Sequence, residues 1–384
     1  MALKIAQRGT VPPFIVMDVM RAAAEREAAG GATLHLEVGQ PSTGLPRRAA
    51  EAVQALLASG QPLGYTVALG LPELRTRIAG HYRRVHGVEV PAERVVATMG
   101  SSAAFVLAFL SAFEVGDRVG VTRPGYPAYR HILKALGIEP VAIPVGPDTR
   151  FQPTVEVLER AGARDLDGII VTSPSNPTGT VMPADELRRV AAWCDTHKVR
   201  LVSDEIYHGI TYGMEAESVA GFAPDAIIIN SFSKYFCMTG WRLGWLVLPR
   251  DMVRPVECLT QNMFISPPTL SQHAGIAVFD CDDELQANVA RYARNREVLL
   301  DGLPSAGFDR LAPADGAFYL YADVAHMTND SLAFCRRMLA ETGVAATPGV
   351  DFDDAEGDRF VRFSFAGGTE DMEKAVAALK AWRR

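Results

Sequence analysis

The sequence predicts an α/β protein: a large domain with a mostly parallel seven-stranded sheet between helices, and a smaller α+β domain beside it. Three observations predict it. Short apolar runs recur between residues 94 and 248, separated by helical patterns. Those runs are apolar on both faces rather than alternating, the mark of strands covered by helices on each side. The chain has 384 residues, 48% of them hydrophobic, enough for a large core and a second unit.

In chain order, residues 14–29, FIVMDVMRAAAEREAA, read as an amphipathic helix ended by Gly30 and Gly31. Residues 34–46, LHLEVGQPSTGLP, look extended and end in turn residues. The candidate sheet strands are RVVAT (94–98), RVGVT (118–122), EPVAIPV (139–145), GIIVT (168–172), RLVS (200–203), AIIIN (226–230) and LGWLVL (243–248). Residues 284–302 read as a long helix. After it come GAFYLYADV (316–324), a helix near 330–342, VAATPG (344–349), RFVRFSF (359–365) and a C-terminal helix from about 369. Strands and helices mix there in smaller numbers. The expected division is a large domain over 41–284 and a small one over 285–384, joined by 1–40.

Composition excludes several classes of function. The net charge is −7, and a nucleic-acid partner normally needs a basic stripe. The five cysteines, Cys194, Cys237, Cys258, Cys281 and Cys335, include no CxxC and are odd in number. That argues against a disulfide framework or a zinc site and fits a reducing cytoplasm. The opening MALKIAQRGTVPPF lacks a signal-peptide core, and no apolar run is long enough to span a bilayer. No membrane partner is expected. No G-x-G-x-x-G follows a strand, and no H-E-x-x-H occurs. The acidic run DFDDAEGD (351–358) puts Ala355 at a ligand position of an EF-hand and has no closing glutamate, so it reads as a solvated loop.

In a doubly wound sheet, ligands bind beyond the carboxyl ends of the strands. Five such ends carry polar or aromatic groups. After 94–98 comes Gly100-Ser101-Ser102, opening a helix; after 118–122 comes RPGYPAY with Tyr126. After 168–172 comes SPSNPTGT with Asn176, after 200–203 comes Asp204-Glu205-Ile206-Tyr207, and after 226–230 comes Ser231-Phe232-Ser233-Lys234. Each has an ordinary structural reading on its own: a serine N-cap, a turn, a packed ring, a salt bridge. Together they describe one rim.

The glycine-serine turn suits a phosphate, because a helix N-terminus offers free N–H groups and glycine admits close approach. Ser231, Ser233 and Arg242 bring hydroxyls and a guanidinium fork to the same anion. The chain holds only six lysines: Lys4, Lys134, Lys198, Lys234, Lys374 and Lys380. Of these, Lys234 alone follows a buried strand beside the candidate anion site. Desolvation there lowers its pKa and frees an amine nucleophile. Lysine, phosphate cradle, strand-end aspartate and aromatic plate converge on pyridoxal 5'-phosphate (PLP).

The residues SPSNPTG, DEIY, SFSK followed by TGWRLGW, and VRFSFA resemble those of the class I/II PLP-dependent aminotransferases. That is the aspartate aminotransferase superfamily, with the fold-type-I PLP transferase fold. LEVGQP, GYTVALGLPELR and GAFYLY match less tightly, and the likeness covers nearly the whole chain. The resemblance implies roles. Lys234 matches the Schiff-base lysine and Asp204 the partner of the pyridine nitrogen. Asn176 and Tyr207 match donors to the phenolic oxygen, and Tyr126 the aromatic stacked on the ring. Ser101, Ser102, Ser231, Ser233 and Arg242 match the phosphate contacts. Tyr65 matches a tyrosine that reaches the neighbouring subunit's phosphate, which implies a homodimer. Arg362 matches the clamp on the substrate carboxylate, with Gly39 and Asn176 beside it. The implied activity moves an amino group between an L-amino acid and a 2-oxo acid.

Gln40 and Asp353 depart from the family pattern, which often has glutamate and glycine there. No clear second basic residue answers a distal carboxylate, which weakens an aspartate-specific reading. A carbon–sulfur β-lyase on the same scaffold remains open, because the cofactor residues do not separate it from a transaminase. A PLP-binding regulator is the remaining alternative. Such regulators add an N-terminal DNA-binding domain, whereas this sequence starts directly with the aminotransferase-like part.

Overall fold

In the computed structural model, which describes residues 3–382, a short 3-10 turn at Gln7–Gly9 is followed by the helix Ile15–Ala28 and the short strand β1 (Leu34–His35). The seven apolar runs become β2 (Val95–Thr98), β3 (Arg118–Arg123), β4 (Glu139–Pro144), β5 (Gly168–Thr172), β6 (Arg200–Asp204), β7 (Ile227–Ser231) and β8 (Gly244–Val247). They form one sheet in the order β2-β8-β7-β6-β5-β3-β4. β3 to β7 are parallel, while β8 runs antiparallel to both its neighbours, β2 and β7.

Alternate residues of each strand enter opposite cores. Val95, Ile169, Val171, Leu201, Ile228 and Trp245 face one apolar cluster. Val96, Ile170, Val202, Ile227, Ile229 and Leu246 face the other. The second face is covered by the helices Gly100–Ala112, Pro127–Leu136 and Arg250–Met263, through side chains such as Phe105, Phe109, Leu133 and Val256. Burying each such side chain contributes roughly 1.5–3 kcal/mol before entropy is counted. The expectation of two covered faces fails at β4, where only Ile143 is fully buried. β4 is the sheet's edge and pairs only with β3, so it extends past the helical cover.

The rest of the chain builds a smaller unit. β9 (Tyr319–Asp323), β10 (Val344–Ala345), β11 (Thr347–Pro348) and β12 (Phe360–Ser364) follow the long helix Asp282–Gly302. β11, β12 and β9 form an antiparallel sheet in that order. β1 pairs in parallel with β10, which ties the amino-terminal segment to the C-terminal part. The extended reading of 34–46 survives as a strand only at Leu34–His35. Leu36 adds one more bond, donating its N–H to the Ala345 carbonyl at 3.0 Å, before the chain turns through Gly39 and Pro41.

The acidic run 351–358 is not a solvated loop at its start. Asp351 is 1% exposed and Asp353 is 4% exposed. Asp351 accepts the N–H groups of Ile15 and Val16, and Asp353 those of Ala355 and Glu356. Backbone donors replace the water these carboxylates leave. Among the described residues, no helix is long and apolar enough to cross a membrane.

Candidate active site

Register places the site. Thr98 at the end of β2 and Ser231 at the end of β7 both face Gly244, the first residue of the antiparallel β8. The carboxyl ends of β2 and β7 therefore meet the amino end of β8, and Arg242 stands between them. Gly100 takes φ +75° and opens the helix Gly100–Ala112, whose first N–H groups have no partner in their own helix. A Cβ on Gly100 would lie 2.6 Å from Arg242 Nη2, and one on Gly244 would lie 2.9 Å from the Ser101 nitrogen. Glycine is needed at both positions to keep this cradle open.

A cavity of about 200 Å³ opens over the rim. It is lined by Ser101, Ser102, Tyr126, Asn176, Asp204, Tyr207, Ser233, Lys234, Arg242, Gly39 and Arg362, so most residues singled out in the sequence converge there. Ser231 and Tyr65 do not line it. The Ser231 hydroxyl sits behind the wall, 2.9 Å from Ser233 Oγ and 3.2 Å from the Leu243 carbonyl, and accepts the Ser233 N–H. Tyr65 is 83% exposed. His208 also stays outside the cavity, buried against the Ser173 carbonyl at 3.0 Å and His86.

Asp204 ends β6 and is buried. Burial pushes its carboxyl up to about 6, against the opposing pull of hydrogen bonds from the Tyr129 hydroxyl and the Ile206 N–H. Lys234 donates a 2.7 Å hydrogen bond from Nζ to the Gly39 carbonyl. Burial lowers its ammonium to about 8; Arg362 and Arg242 push the same way, and Asp204 opposes them. Tyr207 and Tyr319 share a 2.8 Å bond between their hydroxyls. Tyr126 packs edge-on between Phe14 at 5.8 Å and Tyr129 at 5.2 Å.

Arg362 lies on β12 and is only 3% exposed. Its guanidinium sits over the rings of Tyr319 (4.3 Å) and Phe352 (4.7 Å). It donates to Asn176 Oδ1 at 2.9 Å, to Thr347 Oγ1 at 3.1 Å and to the Glu37 carbonyl. Its Nε has no hydrogen-bond partner among the described residues. All its acceptors are neutral, so among the described residues this buried cation has no carboxylate in hydrogen-bond contact.

Sequence reasoning missed Tyr129, Tyr319 and the apolar wall formed by Phe14, Val16, Met17, Met20 and Val38. Tyr129 carried a local signal, standing three residues after Tyr126 on one helical face. The wall carried none, because it depends on the first helix returning to the site.

Residues 32–379 match the family described as aminotransferase class I and II. A valine–pyruvate aminotransferase of Mycobacterium tuberculosis is 53% identical over 383 residues, covering 99% of this chain and 98% of that one. The crystal structure of an aminotransferase from Mycobacterium tuberculosis superposes with a TM-score of 0.96 at 53% identity, covering 99% of both chains. Aspartate aminotransferase from Thermus thermophilus with maleate superposes at 0.92 with 31% identity, again covering 99% of both.

The chain belongs to the class I and II aminotransferase family. It is a PLP-dependent enzyme of fold type I, as its motifs implied. The residues of this aminotransferase fit the family's cofactor: the cradle at Gly100 and Gly244 leaves room where any side chain would intrude, Arg242 faces it, and a buried carboxylate and a depressed amine line the same cavity. Lys234, Asp204, Tyr126, Ser101, Ser233 and Arg242 stand where they can hold it.

Proposed function

We propose that this aminotransferase transfers the amino group of an apolar L-amino acid, of the valine type, to a 2-oxo acid such as pyruvate. One observation carries the reading. The basic residues lining the cavity are Lys234, Arg242 and Arg362, each with a task, and the outer wall is apolar. Arg362 has a free Nε for a carboxylate, and among the described residues of this chain no further cation lines the cavity to meet a second one. The similarity to a valine–pyruvate aminotransferase supports the same substrate class.

Bound at Lys234, pyridoxal phosphate supplies a ring that takes up the electron pair left at Cα when the Cα proton leaves. Arg362 holds the α-carboxylate shared by amino and oxo acid. With the cofactor bound, the Lys234 amine would remove the substrate's Cα proton and carry it as a general acid, and its lowered pKa suits both tasks near neutral pH. Asp204 holds a proton at the ring nitrogen. Asn176 accepts from Arg362 through Oδ1, which leaves its amide N–H groups for the phenolic oxygen, beside Tyr207. The apolar wall excludes water from the reacting bonds.

Exposed Tyr65 and Val67 support a homodimer in which Tyr65 reaches the partner's phosphate site. The five unpaired cysteines support a cytoplasmic location.

The test is the absorption spectrum of the PLP-loaded protein with single amino acids and no acceptor. Valine, leucine and alanine should convert the visible band to the near-ultraviolet band of pyridoxamine phosphate, and aspartate should not. With cystathionine, whose Cβ carries a thiol leaving group, a visible band that persists while a thiol, pyruvate and ammonia appear identifies the β-lyase instead. Fastest conversion by aspartate overturns the apolar assignment.

A further inference from the structure

The apolar wall is set by a residue outside the cavity. Phe14, Val16, Met17 and Met20 belong to the start of the helix Ile15–Ala28. Its N-cap position is Phe14, which has no polar side chain to satisfy the first amides. Asp351 does this from a distant part of the chain: Oδ1 accepts the Ile15 N–H at 3.0 Å and Oδ2 the Val16 N–H at 3.2 Å. Deeper along the helix, Ala23 packs with Leu339 and Ala345. The helix is thus held by apolar packing and by Arg26, which donates to the Ala340 carbonyl, toward its C-terminal end, while its first amides are met by a single carboxylate.

Asp351 is itself tied to the carboxylate grip. The next residue, Phe352, lies under the Arg362 guanidinium at 4.7 Å. Arg130 donates to the Asp351 carbonyl at 2.7 Å, and the Gly125 N–H to the Phe352 carbonyl at 3.1 Å. The two residues therefore join the group that binds the substrate's carboxylate to the wall that meets its side chain.

We propose that Asp351 is a positioning residue for substrate selectivity: it seats the Phe14–Met20 wall at a set distance from Arg362, and so favours branched apolar side chains over small ones. This rests on the apolar-substrate reading above. The test compares kcat/KM for valine and for alanine in the PLP-loaded wild type, Asp351→Ala and Asp351→Asn. In Asp351→Ala the valine-to-alanine ratio should fall about tenfold, the equivalent of losing a helix cap. The fall should come through KM for valine, with kcat and the visible cofactor band unchanged. Asp351→Asn keeps one acceptor and should fall part of the way, and it decides the question if the alanine variant does not fold. Amide hydrogen exchange at Ile15 and Val16 should speed up in the same order. A merely structural role would lower the melting temperature and slow both substrates alike. An unchanged ratio in both variants, or in Asp351→Asn alone where the alanine variant does not fold, overturns the proposal. A wild type with no preference for valine overturns the substrate reading instead.

Discussion

The Tyr129 hydroxyl donates to the Asp204 carboxylate at the end of β6, with both side chains buried. Burial alone drives Asp204 toward its neutral form, and this bond is the largest influence pulling it back. Tyr129→Phe should therefore raise the Asp204 pKa further above 6 and leave more neutral acid at pH 7. A hydrogen bond to a charged group is worth about 1.5–3 kcal/mol, so PLP should bind the apoprotein at least tenfold more weakly at pH 7. The deficit should shrink toward pH 9, where Asp204 is ionised in both proteins. A fluorescence titration with PLP at the two pH values checks this; equal affinities at pH 7 would sever Tyr129 from the cofactor site.

Lys234 must be neutral to attack the cofactor aldehyde. With its ammonium lowered to about 8, covalent uptake of PLP by the apoprotein should rise with pH through a midpoint near 8, far below that of an ordinary lysine. Burial is the main cause and Arg362 the next. Arg362→Ala should then move the midpoint upward by a fraction of the total shift. Stopped-flow absorbance across pH 6–10 reads both midpoints. A midpoint near that of free lysine would mean that the amine is solvated.

These two residues also mark how far the sequence was legible. Lys234 and Asp204 stood out because a charged group at the end of an apolar strand is costly and demands a reason. Tyr129 stood out less: its spacing from Tyr126 was its one signal, and a tyrosine in an apolar helix face reads as core. The seven strands were visible as apolar runs, yet such runs carry no direction, so the antiparallel course of β8 was hidden. That reversal is what brings Arg242 to Gly100. Asp351 was hidden for a related reason: its partners, Ile15 and Val16, lie at the other end of the chain, and an acidic run resembles solvated surface until its donors are seen.

Arg362 is a buried cation whose hydrogen-bond acceptors are all neutral, and a substrate carboxylate completes it. Truncating one member of a buried, hydrogen-bonded charge pair costs about 2–5 kcal/mol. Arg362→Ala should raise KM at least thirtyfold for every amino and oxo acid. Arg362→Lys should rescue little, because a lysine cannot reproduce the planar fork held over Tyr319 and Phe352. Steady-state kinetics on valine, alanine and pyruvate separate the outcomes. A KM change confined to one donor would move Arg362 from the shared carboxylate to the side-chain pocket.

Tyr65 offers a test of assembly that does not depend on size alone. It is 83% exposed and does not line the cavity of its own chain. If it serves the partner's phosphate site, Tyr65→Ala should weaken PLP binding about tenfold through one lost charge-assisted hydrogen bond, and Lys234→Ala should be inactive. Co-expressing the two variants with different tags yields hybrids that can be purified. Each hybrid holds one site with Lys234 from the Tyr65→Ala chain and Tyr65 from the Lys234→Ala chain. At limiting PLP, that site should bind cofactor and turn over like a wild-type site, while both parent homodimers stay impaired. A hybrid no better than the average of its parents would show that Tyr65 does not act across the interface, and a chain that sediments as a monomer would remove the interface altogether.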